Sequence, residues 1–138
     1  MKTAIRYMLD TNIVSHVIKA TSPNVDEHMR NTPMSSICVS VITEAEMLYG
    51  LAKKPEAKGL HKAVIGFLLR VQVLPWDSAA SRVYGELRAR IEKQGKTLGN
   101  LDLLIAANSV GSGAVLVTND QAFHKIIRLN VVDWTKPY

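Results

Sequence analysis

The chain has one cysteine, which excludes an internal disulfide and any fold that depends on cross-links. Cys38 lies in Ile37-Cys38-Val39, a run with the composition of buried strand, where a free thiol serves as a small apolar side chain. A reducing, cytoplasmic setting fits that usage. No apolar run reaches the roughly 18 residues that a membrane span needs, so no membrane partner is expected. Met1 to Asp10 is too short, and too polar at its end, to read as a signal peptide. Aromatic residues make up only 6%, which leaves no ring-rich platform for stacking bases, and Tyr49 and Trp76 are expected to pack. His16, His28, His61 and His124 are scattered without zinc-like spacing and read as structural or surface residues. Repeats, low-complexity tracts and Ser/Gly linkers are absent, so residues 1–138 read as one domain.

What is present is an ordinary apolar fraction of 47% and an excess of positive charge. Seventeen Lys and Arg stand against twelve Asp and Glu, a net charge of +5 that favours a polyanionic partner. Arg82, Arg88, Arg90, Lys93 and Lys96 follow one another on a helix and its exit loop. They suit either a solvated helix face or contacts to phosphate, as do Lys53, Lys54, Lys58 and Lys62.

Strand-like and helix-like segments alternate along the whole chain. Ile5–Leu9, Ile37–Ile42, Val71–Leu74 and Ala114–Val117 are short apolar runs of buried-strand composition, and Val131-Val132 is a candidate fifth. Between them, helical spacing predicts helices over 13–19, from Thr43 to Lys54, over 60–70, from Asp77 or Ser78 to Gly95, over about 101–109, and a short one after Asn119. The alternation implies parallel strands, right-handed crossovers and helices on both faces of the sheet, an α/β fold with four to five strands.

Four acids fall at special places in that pattern. Asp10 ends the first strand, Glu46 follows the second, Asp102 opens the helix leading into the fourth, and Asp120 follows the fourth. Ligands of an open parallel sheet bind outside the carboxyl ends of its strands, where these acids can meet. Taken singly, each acid also reads as a helix-start residue, favoured by unpaired backbone N–H groups. Thr43-Glu44-Ala45-Glu46 even spells a capping box with Glu46 at the third helical position. If the four do converge, their repulsion calls for a divalent cation.

Four motifs occur in order: Met8-Leu9-Asp10-Thr11-Asn12-Ile13, Ser40 to Gly50 with Ile42-Thr43-Glu44-Ala45-Glu46 inside it, Gly99-Asn100-Leu101-Asp102 running into Ile105-Ala106-Ala107, and Val117-Thr118-Asn119-Asp120. Together they resemble the PIN-domain proteins, and among them the VapC toxins of VapBC toxin–antitoxin pairs, over nearly the whole chain from about Ile5 to Trp134. The resemblance implies a three-layer α/β/α sandwich around a parallel sheet. It also implies endonucleolytic cleavage of RNA dependent on Mg²⁺, with Mn²⁺ as a substitute. Carried onto this sequence, the catalytic and metal-binding acids are Asp10, Glu46, Asp102 and Asp120, with Asp10 and Asp102 as principal ligands. Thr11, Asn12, Ser40 and Thr118 are the candidates for supporting hydrogen bonds.

The implied partners are a VapB-like antitoxin, a second copy of the chain in a homodimer that assembles with antitoxin into a larger complex, and an RNA substrate. Among RNAs, tRNA is favoured and initiator tRNA in particular, with inhibition of translation as the result; operator DNA is met only through the antitoxin. Two positions depart from the family pattern, Asn108 where His is common and Asn100 where Pro is common. Neither removes a carboxylate. Two other readings compete. A phosphoryl-accepting receiver domain needs paired acids after the first strand and a late lysine, which this chain lacks. A catalytically silent binding module, acting with an antitoxin as co-repressor, is disfavoured by the presence of all four acids.

Overall fold

The computed structural model describes residues 4–126 and 128–137. Five strands form a single sheet: β1 (Tyr7–Leu9), β2 (Ile37–Ser40), β3 (Gln72–Leu74), β4 (Val115–Val117) and β5 (Val131–Val132). Their order is β3-β2-β1-β4-β5 and every pairing is parallel, with Tyr7 opposite both Ile37 and Val115. The chain therefore winds outward from β1 in one direction through β3, then returns to the other side of β1 for β4 and β5. The crevice between β1 and β4 is the topological switch point, where such sheets bind ligands.

Among the described residues seven α-helices make the crossovers: α1 (Thr11–Lys19), α2 (Pro23–Arg30), α3 (Val41–Ala52), α4 (Lys58–Arg70), α5 (Ser78–Lys93), α6 (Asn100–Gly111) and α7 (Gln121–His124). Alternation along each strand sends successive side chains to opposite faces. Met8, Cys38 and Leu116 join Leu87, Ile91, Leu103 and Phe123 in one core. Leu9, Val39 and Val117 join Ile13, Val14, Val25, Phe67 and Trp134 in the other. Two cores separated by one sheet give the three-layer sandwich. Cys38 is fully buried, as expected for an apolar role. No helix among the described residues is long and apolar enough to cross a membrane.

Two differences from the sequence pattern stand out. The second strand is shorter than its apolar run, because Ser40 accepts the N–H of Ile42 at 3.1 Å and starts α3 at Val41. Helix α2 was not expected: of its eight residues only Val25 is buried, so it has no apolar stripe. Its start is nonetheless written in Ser22-Pro23, an N-cap followed by proline at the first helical position. In agreement with the sequence, Asp77 caps α5, accepting the N–H of Ala80 at 3.1 Å, and Gly95 with φ +70° takes the chain out beyond it.

Candidate active site

Asp10 leaves β1 with its backbone still tied to β4, its N–H donating to Val117 O at 3.1 Å. Its carboxylate Oδ1 then accepts the N–H of Ile13 at 2.8 Å and caps α1. The side chain is 5% exposed. Across the switch point, Thr118 is fully buried and hydrogen-bonds the Asp10 side chain, while its Oγ1 accepts the N–H of Asp120 at 3.1 Å. Asp120 in turn caps α7 through the N–H of Ala122 at 2.9 Å. Asn12 Nδ2 donates to Asn119 Oδ1 at 2.8 Å and ties the start of α1 to the exit of β4. The ring of His124 donates from Nε2 to Thr118 O at 3.0 Å, a structural bond that buttresses the same turn. Thus Asp10 and Asp120 are helix caps and cleft residues at once.

Glu46 corrects the capping-box reading. With Ser40 as the cap, Thr43 stands third and Glu46 sixth in α3, beyond the reach of the helix's free N–H groups. Its carboxylate Oε1 instead accepts the hydroxyl of Thr11 at 2.6 Å, and Thr11 Oγ1 lies 3.2 Å from Thr43 Oγ1. Thr43 is fully buried. A chain of two threonines therefore orients this acid, and its position owes nothing to helix capping. Glu44, in the same turn, is partly exposed and lines no part of this arrangement.

Asp102 is third in α6, whose cap, Gly99, has no side chain to offer. A Cβ at Gly99 would come within 3.2 Å of Asp102 Oδ2, so glycine leaves room for the carboxylate there. Asp10, Glu46, Asp102 and Asp120 come together with Thr11, Asn12 and Ser15 as the lining of one open cleft of about 430 Å³. Ser40 does not line it: fully buried, it serves as the cap of α3. Ser15, Thr43 and Gly99 were not singled out in the sequence, although Ser15 follows Thr11 by four residues on the same helix face.

The electrostatics follow from burial and like charge. Burial, opposed by the bonds from Thr118 and Ile13 and reinforced by Asp102 and Asp120, pushes the Asp10 carboxyl up to about 6. Asp102 is raised too, by burial and then by Asp120 and Glu46. Among the described residues the one ion pair is Arg88–Glu92 at 3.0 Å, so none of their lysines or arginines forms an ion pair with these four acids. This donor set is hard and all oxygen, which suits a cation such as Mg²⁺. Among the described residues, no three acidic, histidine or cysteine side chains form a ready-made ligand shell.

The remaining sequence expectations divide. Trp76 packs, donating from Nε1 to Leu104 O at 2.9 Å and standing edge-on to Tyr84. His16, His61 and His28 sit against Thr21, Lys54 O and Lys136 O. Tyr49 does not pack; it is 64% exposed. The expectation that it packs fails because the face of α3 that carries it is not covered. Asn108 is 2% exposed and donates to Pro75 O at 3.1 Å, its Oδ1 left without a partner, while Asn100 is exposed at the first position of α6.

Comparison with known proteins gives the following. Residues 7–129 match the PIN domain. The chain is 38% identical to the ribonuclease VapC2 of Haemophilus influenzae, covering 94% of this chain and 98% of that protein. It is 35% identical to the tRNA(fMet)-specific endonuclease VapC of Shigella flexneri, covering 95% and 99%. Among solved structures, the DNA-bound VapBC of Salmonella typhimurium superposes with a TM-score of 0.87 at 32% identity, over 95% of this chain and 99% of its own.

Proposed function

We infer the function from one premise: the chain belongs to the PIN-domain family. It is an endoribonuclease of the VapC type, the toxin of a toxin–antitoxin pair. The observation that carries its mechanism is the convergence of four acids from four separate elements on one cleft at the switch point, with no lysine or arginine among the described residues in an ion pair with them. Asp10 and Asp102 are the principal metal ligands, and Glu46 and Asp120 complete the site. The cation is Mg²⁺, with Mn²⁺ as a substitute. When bound, such an ion activates water for in-line attack on a phosphodiester and offsets charge on the phosphoryl oxygens.

The chain's own residues do the positioning. Thr118 holds Asp10 and the backbone of Asp120 in register across the crevice. Thr11 occupies Oε1 of Glu46 and leaves Oε2 to take a hydrogen bond or a proton from the attacking water. Because water attacks, the RNA 2′-hydroxyl is not needed as nucleophile. The substrate is tRNA, and initiator tRNA first, by extension from the Shigella relative. The antitoxin is VapB-like, by extension from the Salmonella complex, and operator DNA is reached through it. A homodimer and a cytoplasmic setting complete the proposal. The silent co-repressor is not favoured, since all four acids are kept and line one cleft.

The test is cleavage of a tRNA pool by the purified protein in Mg²⁺, in chelator, and after Asp10→Asn. Cleavage is expected with Mg²⁺, is lost in chelator and returns on adding the ion back. The variant is expected to fall by on the order of 10³-fold, the several kcal/mol that correct metal placement supplies. A folded Asp10→Asn protein that cuts at the parent rate removes Asp10 from the mechanism.

A further inference from the structure

Tyr49 is the one aromatic side chain among the described residues that is largely in solvent. The others are covered: Tyr7 packs on Trp134 at 5.4 Å, Trp76 on Tyr84 at 5.9 Å, and Phe67 and Phe123 are buried. Tyr49 follows Glu46 by three residues on α3, a spacing that makes the two side chains neighbours on the helix surface. One turn further on, Lys53 holds its Nζ 4.6 Å from the Tyr49 ring centre. Lys53, Lys54 and Lys19 line a second hollow of about 190 Å³, which shares Thr11, Ser15 and Glu46 with the acid cleft. An exposed ring and three ammonium groups therefore stand beside a hollow continuous with the four acids.

Four uncompensated carboxylates repel a polyanion, so any attraction for it must come from cations close by. We propose that this corner of α3 is an RNA subsite, in which an unpaired base stacks on Tyr49 and the adjoining phosphates meet Lys53, Lys54 and Lys19. The subsite leads the strand into the acid cleft, and it rests on the ribonuclease reading above. A ring face accepts any base, so the subsite adds affinity with little sequence preference. The cation already over the ring adds charge where the backbone passes.

The experiment measures binding of a single-stranded RNA oligonucleotide by fluorescence anisotropy across a salt series, in the Asp10→Asn background that slows its turnover. Cleavage by proteins with intact acids is measured alongside. Tyr49→Ala is expected to weaken binding about 10-fold or more, and to raise KM while leaving kcat in place. Tyr49→Phe keeps the ring and is expected to restore both. Lys53→Gln is expected to lower the slope of log affinity against log salt by about 0.7.

Tyr49→Ala that binds and cleaves like the parent overturns the subsite alone. So does a variant that changes the sedimentation of the protein while RNA affinity is unchanged, which assigns the ring to a protein contact. A parent with intact acids that neither binds nor cleaves RNA overturns the ribonuclease reading and the subsite together.

Discussion

On α5, Arg88 and Glu92 meet at 3.0 Å with more than half of each side chain in solvent, whereas Asp10 at the end of β1 is 5% exposed and faces other acids. Both regions are rich in charge when read along the chain. On the helix, the charges are paired one turn apart and water screens what remains, so the interaction is weak. At the rim, Asp10 is buried and Asp102 half-buried beside other acids, and among the described residues no lysine or arginine pairs with them, so both of these carboxyls are harder to ionise. A charge that costs the fold stability, kept where a ligand would relieve it, marks the working part of the molecule.

The comparison is broken most decisively by removing a carboxylate from the rim. Asp102→Asn keeps the shape and removes the charge, and RNA cleavage in saturating Mg²⁺ is expected to fall by on the order of 10³-fold. An assay of initial rates with a refolded, monodisperse variant checks it.

The next effect is on stability. A carboxyl raised from 3.8 to about 6 means that the folded protein binds a proton more tightly there than the unfolded chain does. Stability from this group is therefore fully present below about pH 3.8 and is lost as pH rises through about 6, a difference of about 3 kcal/mol. Metal-free Asp10→Asn, which keeps a good capping residue, is expected to melt several degrees above the parent at pH 7.5 and to lose that advantage near pH 4. Mg²⁺ is expected to raise the melting temperature of the parent and to do little for the variant. Thermal scans at both pH values, with and without the ion, decide it; a parent that is more stable at pH 7.5 than at pH 5 contradicts the burial argument.

A smaller effect tests the threonine chain. Thr43→Val is close to isosteric and removes only the hydroxyl beside Thr11, so the orientation of Glu46 loosens while the acids remain. Cleavage is expected to drop about 10-fold, in the range found when supporting bonds to a metal site are cut, with Thr43→Ser restoring it. At the bottom of the scale, Arg88→Ala is expected to leave cleavage unchanged. A large loss there would mean that the helix face carries substrate after all.

Much of this was legible in the residues. Strand runs alternating with helical stripes implied a parallel sheet covered on both faces, and the acids after the first and fourth strands could be assigned to its carboxyl rim. Three features escaped the sequence for physical reasons. Thr43 to Glu46 has the spelling of a capping box, yet Ser40 outcompetes Thr43 as cap and moves Glu46 one turn inward. Helix α2 buries only Val25, so hydrophobic periodicity could not reveal it. The exposure of Tyr49 was equally hidden, since a tyrosine among apolar neighbours reads the same whether or not another element covers that face.

The order of apolar runs, caps and acids along the chain determined the α/β class and the set of carboxylates, because period and capping are local properties of a sequence. Tertiary structure alone decided that Asp10 is buried against Thr118, that Thr11 reaches across to Glu46, and that Lys19 of α1 and Lys53 and Lys54 at the end of α3 flank one hollow. Burial and the approach of distant charges set the energy of an ionised group, and neither exists until the sheet has brought the ends of its strands together.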